Sequence, residues 1–280
     1  MTQQRESRVH KRYLRHSKKF PNVWCAGCGI GIVLGAIIRA VDDLRLDKND
    51  VALLSGIGCT GRMPVYVDFN TMHTTHGRAL AFATGLKMVR PEMKVIVVMG
   101  DGDALAIGGN HFIHAARRNI GLTAIVVNNS TYGMTGGQYS PTTPIGAQAT
   151  TAPYGHIEQH FPIAELAATA GAAFVACSTV YHVQELEKLI AQAITKDGFS
   201  VVEAVSYCHT TIGRINRWGT APVMMRALKE QSITRRQAEG MSEEEKHGKI
   251  VRGVFVDRDI PEYTRLYDQI IEQARQEAAR

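Results

Sequence analysis

Nothing in this chain of 280 residues approaches the roughly 20 consecutive apolar residues that cross a bilayer. The N-terminus also lacks the apolar segment of a signal peptide. A cytoplasmic location and no membrane partner are therefore expected. No internal repeat is present, so with 45% hydrophobic residues the chain has apolar mass for one sizeable core. Only five cysteines occur, and a disulfide framework does not suit a cytosolic chain of this size.

The net charge is a modest +6, but basic residues crowd the start: Arg5, Arg8, Lys11, Arg12, Arg15, Lys18 and Lys19 against the single acid Glu6. Such a run reads first as a solvated arm. A transit peptide would leave little to cleave before the first cysteine pair. No nucleic-acid reading motif accompanies the charge, so no nucleic-acid partner is expected. Steering of an acidic protein partner is the remaining use.

Apolar segments and helical patterns alternate from Ile30 onward. Helices are expected at Ile30 to Leu44, His76 to Val89, Ala104 to Asn119, Pro162 to Ala170 and Val183 to Ile194. Strands are expected at Val51 to Ile57, Lys94 to Met99, Leu122 to Asn128, Ala173 to Cys177 and Phe199 to Ser206. This order predicts an α/β fold: a doubly wound, mostly parallel sheet with helices on both faces. Ser130 to Phe161 has no period and reads as a long loop. Three parts are expected: a basic arm over 1–21, the α/β domain over 22–222, and a charged, helical extension over 223–280 that includes an arm or docking helix from Asp257.

Ligands in such sheets bind outside the carboxyl ends of the strands, and two strand ends here carry oxygen ligands. Gly100-Asp101-Gly102-Asp103 closes one, Asn128-Asn129-Ser130-Thr131 the next. Glycine lets the backbone turn beneath a phosphate, and the helix that follows aims its free N–H groups at it. A carboxylate from Asp101, an amide oxygen from Asn129 and a nearby carbonyl suit Mg²⁺ bridging a diphosphate. His76, expected to open a helix at this mouth, can face phosphate or substrate; a satisfied structural histidine is the ordinary alternative. Arg62 can pair with a substrate carboxylate, and Met134 can line a pocket, although a surface Arg and a gap-filling Met are the ordinary readings.

Cys25-Ala-Gly-Cys28, Cys59 and Cys208 fall in loops, the last two just after expected strands. Four such thiols can close a tetrahedral sulfur site, and spacing alone leaves zinc and an iron–sulfur cluster open. Cys177 lies inside an apolar run and is read as a buried core thiol.

The words Gly56-Ile57-Gly58-Cys59-Thr60-Gly61-Arg62, Thr75-His76-Gly77-Arg78, Gly100 to Asn110, and Tyr132-Gly133-Met134-Thr135-Gly136-Gly137-Gln138 with Ser140-Pro141-Thr142-Thr143-Pro144 resemble the beta subunits of 2-oxoacid:ferredoxin oxidoreductases. Among them the 2-oxoglutarate members are most similar. The resemblance implies thiamine diphosphate, with Mg²⁺ held by Asp101, Asn129 and the Thr131 carbonyl. Gly102 and Asp103 would offer N–H groups to the diphosphate, with Gly58, Gly100 and Gly133 around the cofactor. It further implies a 4Fe-4S cluster on Cys25, Cys28, Cys59 and Cys208. The implied reaction, in the EC 1.2.7 class, is oxidative decarboxylation of a 2-oxoacid with coenzyme A as acyl acceptor and ferredoxin as electron acceptor, reversible for CO₂ fixation.

One part is missing. Thiamine diphosphate enzymes need a Glu from a pyrimidine-binding domain, and this chain has one α/β unit. The resemblance thus implies an alpha, or fused gamma-alpha, partner subunit, a dimer of heterodimers, and no turnover by the isolated chain. Pyruvate or branched-chain specificity stays open, as does a non-redox thiamine diphosphate component with structural zinc.

Overall fold

The inner strand sequences here are rich in β-branched and apolar residues on both faces, which is what a parallel sheet covered by helices on each side requires. The computed structural model describes residues 8–17 and 21–280. Its strands are β1 (Val51–Ser55), β2 (Asn70–His73), β3 (Lys94–Gly100), β4 (Leu122–Asn128), β5 (Phe174–Thr179), β6 (Ser200–Val205), β7 (Ser232–Thr234) and β8 (Ile250–Asp257). They form one sheet in the order β2-β1-β3-β4-β6-β5-β8-β7. The pairs from β2 to β5 are parallel, and β8 joins β5 antiparallel.

The helices are α1 (Arg8–Tyr13), α2 (Ile30–Asp43), α3 (Ala79–Val89), α4 (Asp101–Leu105), α5 (Gly109–Arg118), α6 (Ile163–Thr169), α7 (Val183–Thr195), α8 (Ile212–Ile215), α9 (Ala221–Gln231), α10 (Arg235–Ala238), α11 (Glu243–Lys246) and α12 (Tyr263–Ala278). Alternation along β3 shows the two layers. Ile96 and Val98 pack with α2 and α7 on one side, while Val95, Val97 and Met99 pack with α3, α5 and α6 on the other. This is the doubly wound fold expected. No helix among the described residues is long and apolar enough to cross a membrane.

Four local expectations are corrected. The crossover between β3 and β4 begins at Asp101 and is broken at Ala106–Gly108 into α4 and α5. There the His76–Gly77 turn presses against it, and Arg78 takes the Ile107 carbonyl at 3.0 Å. Second, α3 starts at Ala79, because Gly77 has φ +69°, a left-handed turn that a helix cannot contain. His76 therefore precedes the helix. Third, the stretch beyond Val223 is not only helical: β7 and β8 extend the sheet. Fourth, the described part of the basic segment is no free arm. Tyr13 is fully buried and donates to Asp42 at 3.0 Å, and Arg15 donates to the Val67 carbonyl at 2.9 Å. Arg5, Lys18 and Lys19 lie outside the described residues.

Candidate functional site

Parallel pairing of β3 with β4 places Gly100 opposite Val127, so Asp101 and Asn129 emerge side by side at one edge of the sheet. Asp101 is buried, and its Oδ1 accepts the Asn129 N–H at 3.3 Å. Its Oδ2 accepts the hydroxyls of Ser140 and Thr142, the latter at 2.7 Å. Burial pushes the Asp101 carboxyl above the ordinary aspartate range, against the pull of those hydroxyls. Asn129 Oδ1 is buried without a hydrogen-bond partner, as are Asp103 Oδ2 and Thr60 Oγ1. Three orphaned polar atoms at one edge of the sheet cost free energy unless a cation or another hydrogen-bonding group completes them.

Asp103 organises the other side. Its Oδ1 accepts the Gly77 N–H at 2.7 Å and Nδ1–H of His76 at 2.5 Å. That bond fixes the imidazole and leaves Nε2 as its second nitrogen. A Cβ on Gly56 would stand 1.9 Å from the Asp103 carboxylate, so the β1 exit must be glycine for the carboxylate to fit. Tyr132 lies over Gly102 and donates its hydroxyl to the Gly102 carbonyl at 3.3 Å. The long loop is held against this edge, with Thr131 Oγ1 donating to the Gln138 carbonyl and Thr143 Oγ1 to the Ser130 carbonyl.

A cleft of about 120 Å³ opens between these groups, and its lining includes Gly58, Cys59, His76, Gly100, Asp101, Gly102, Asp103, Asn129, Thr131, Gly133 and Met134. The structure thus brings together all but one of the catalytic and cofactor residues proposed from sequence. Arg62, in the 3₁₀ turn after Cys59, is half-buried, does not line the cleft, and has no ion-pair partner among the described residues.

The cysteine loops are tied to one another. Trp24 donates its indole N–H to the Cys59 carbonyl at 2.7 Å, and the Tyr207 hydroxyl donates to the Gly27 carbonyl at 2.8 Å. Thr210 Oγ1 lies 3.6 Å from Cys25 Sγ and 3.5 Å from Cys208 Sγ. Cys208 and Cys59 sulfurs flank Gly133, 3.3 and 3.9 Å from where its Cβ would stand. All four thiols are free. Burial, reinforced by the neighbouring thiols, pushes Cys28 up to about 11, and burial likewise raises Cys59. No three His, Cys, Asp or Glu side chains among the described residues converge closely enough for a single metal ion. Cys177 is buried in β5, apart from this group.

Some site residues were not singled out by their sequence. Ser140 and Thr142 sit in a hydroxyl-rich Ser-Pro-Thr-Thr-Pro word that signals a binding loop but not its target. Tyr132 and Thr60 carry no individual signal. Glu203, a lone acid inside the apolar β6, does carry one, since an unpaired buried acid is rare. Its Oε1 accepts Asn128 Nδ2–H at 2.9 Å, and burial pushes its carboxyl up to about 7.

Residues 56–204 match the family model described as thiamine pyrophosphate enzyme, C-terminal TPP binding domain. A 2-oxoglutarate synthase subunit KorB from Methanocaldococcus jannaschii is 48% identical over 95% of this chain and 98% of its own length. A subunit of the same name from Archaeoglobus fulgidus is 59% identical over 71% of this chain and 73% of its own. Among solved structures, a 2-oxoglutarate:ferredoxin oxidoreductase from Magnetococcus marinus with 2-oxoglutarate, coenzyme A and succinyl-CoA bound superposes with TM-score 0.85 at 33% identity, covering 95% of this chain and 90% of that one.

Proposed function

The chain belongs to the thiamine pyrophosphate enzymes, as a beta subunit of the 2-oxoacid:ferredoxin oxidoreductases, and from that premise we propose that it carries the diphosphate half of a site that oxidises 2-oxoglutarate. The observation that bears most weight is the orphaned Asn129 Oδ1 beside the buried Asp101 carboxylate. Two oxygen donors held side by side where β3 and β4 end, one of them without a hydrogen-bond partner, fit Mg²⁺ on a diphosphate. Asp101, Asn129 and the Thr131 carbonyl would hold the metal. Gly102 and Asp103 would give N–H groups to the phosphates, at the head of α4, with Gly58, Gly100 and Gly133 around them. Bound there, thiamine diphosphate supplies the nucleophilic carbon and electron sink for decarboxylation.

The chain's own residues orient and enclose. Ser140 and Thr142 hold the Asp101 carboxylate in place. Tyr132 covers the floor at Gly102 and excludes water from it. Through its bond to Asp103, His76 presents Nε2 to hold or move a proton, and Met134 borders the cleft. Arg62 stands ready to pair with the second carboxylate of 2-oxoglutarate if the partner subunit closes on it.

Cys25, Cys28, Cys59 and Cys208 would hold a 4Fe-4S cluster, which carries electrons singly to ferredoxin. Each thiol would serve one iron, and four thiols spread around Gly133 and Thr210, with no three ligating side chains among the described residues close enough for one ion, suit a cluster better than a single zinc. The cleft of about 120 Å³ is well below the roughly 300 Å³ or more of ordinary ligand pockets. That shortfall favours a site completed by an alpha, or fused gamma-alpha, subunit in a dimer of heterodimers. Coenzyme A as acyl acceptor, and reversal for CO₂ fixation, follow from the same reading.

The test is anaerobic purification of this chain with its alpha subunit, followed by iron assay, electron paramagnetic resonance and turnover with 2-oxoglutarate, pyruvate and branched-chain 2-oxoacids. About four irons per beta chain, one reducible cluster and Mg²⁺·thiamine diphosphate-dependent turnover preferring 2-oxoglutarate are expected. A colourless protein with zinc would overturn the redox part, and preference for pyruvate the substrate.

A further inference from the structure

We propose that Glu203 is a positioning residue that sets the Asn129 metal-ligand turn through the amide of Asn128. This rests on the cofactor reading above and names a residue outside the cleft. Glu203 lies on β6, beside β4, and its side chain is buried. Its Oε1 accepts Asn128 Nδ2–H at 2.9 Å. Asn128 Oδ1 in turn accepts the Ser130 N–H at 3.1 Å and the Ser130 hydroxyl at 3.3 Å. Thr143 closes the chain by donating to the Ser130 carbonyl at 2.7 Å.

Ser130 is the residue that needs such a hold. It has φ +55°, a left-handed conformation that a non-glycine adopts only when its surroundings impose it. It also stands between Asn129 and Thr131, so its conformation sets where both face. An asparagine amide has one oxygen and one NH₂, and the Ser130 N–H requires the oxygen. Glu203 accepts only from the NH₂, so it locks the amide in the orientation that grips Ser130. Without that acceptor the amide can turn over, placing NH₂ against N–H and releasing the turn. What Glu203 supplies is an acceptor; the glutamine amide oxygen offers one too while the Ser130 N–H keeps Asn128 Oδ1 turned toward it, and a side chain of equal bulk without an oxygen offers none.

The assembled enzyme is compared with Glu203→Met and Glu203→Gln variants. Calorimetric titration with Mg²⁺·thiamine diphosphate reads cofactor affinity, and hydrogen exchange over 128–132 without cofactor reads the turn. Glu203→Met is expected to bind the cofactor about tenfold more weakly, as loss of an outer-sphere partner does, with faster exchange at Ser130 and Thr131. Glu203→Gln should stay within about threefold of the parent affinity, below that range, with parent-like exchange, and KM for the 2-oxoacid should be unchanged in both. Parent-like affinity and exchange in Glu203→Met would overturn the proposal. So would a Glu203→Gln variant as impaired as Glu203→Met, since charge and not an acceptor would then be needed. If Glu203→Met does not assemble, Asn128→Ala, at a half-buried position, breaks the same chain; parent-like affinity in that variant overturns the proposal equally. A parent that binds no cofactor removes the cofactor reading instead, and the exchange comparison still decides whether Glu203 holds the turn.

Discussion

Asn119 and Asn129 stand at opposite ends of β4, and their surroundings differ in one respect that matters. Asn119 caps α5 in a left-handed turn, and every polar atom of its side chain is used. Its Oδ1 accepts the Phe199 N–H at 2.8 Å, and its Nδ2 donates to the carbonyls of Ile260 and Pro261. Beside it, Glu262 accepts the Gly121 N–H at 2.7 Å. At the other end Asn129 Oδ1, Asp103 Oδ2 and Thr60 Oγ1 are buried and unpartnered. The Asn119 amide is closed by protein partners, whereas Asn129 and its neighbours leave acceptors for something that arrives later.

Asp101→Asn tests the open end most severely. Turnover of the assembled enzyme should fall at least about a thousandfold, roughly 4 kcal/mol of barrier, while the melting temperature without cofactor is unchanged or higher, because a buried charge is gone. Adding Mg²⁺·thiamine diphosphate at a hundredfold over Kd should stabilise the parent by about 2.7 kcal/mol and this variant not at all.

Asn119→Ala attacks the closed end and should reverse the pattern. Denaturant unfolding should show a loss of about 3 kcal/mol, since several buried groups lose partners and the left-handed cap is strained. Cofactor affinity should not move. Equal loss of affinity in both variants would abolish the contrast.

Glu203 sharpens it through pH. Its carboxyl is raised from 4.5 to about 7 in the fold, so the folded state holds the proton more tightly than the unfolded chain. The stability it contributes is complete below about 4.5 and lost as pH rises through about 7, on the order of 3 kcal/mol. Melting curves across that window should therefore be flatter for Glu203→Gln than for the parent. Last, the exposed Lys48–Asp68 pair, 2.6 Å apart, belongs to neither end, and Lys48→Gln should change stability by no more than about 0.5 kcal/mol.

The sheet was legible where apolar runs were long, and the site where its chemistry is written in adjacent letters. Gly100 to Asp103 and Asn128 to Thr131 show their place because a glycine turn and an oxygen ligand at a strand end need no distant information. β2 was silent, being a polar edge strand whose residues are half-buried or exposed. In β8, Val251, Val254, Phe255 and Val256 did carry a strand pattern, but charged flanks outweighed it. The break between α4 and α5 was invisible because the Gly77 turn that causes it comes from another part of the chain. Tyr13, a lone aromatic among basic residues, gave no hint that it anchors the segment. The roles of Ser140 and Thr142 depend on how a period-free loop folds back, which no local pattern encodes.

The Asn119 amide meets its carbonyl partners 141 and 142 residues downstream. At the roughly 5–20 residues per second of synthesis, the β3–β4 crossover is made some 7 to 30 seconds before the segment that seals it. During that interval the nascent sheet has water where its lock will be. A chain cut short before Ile260 would leave the Asn119 amide without both carbonyl partners and this end of the sheet open to proteases.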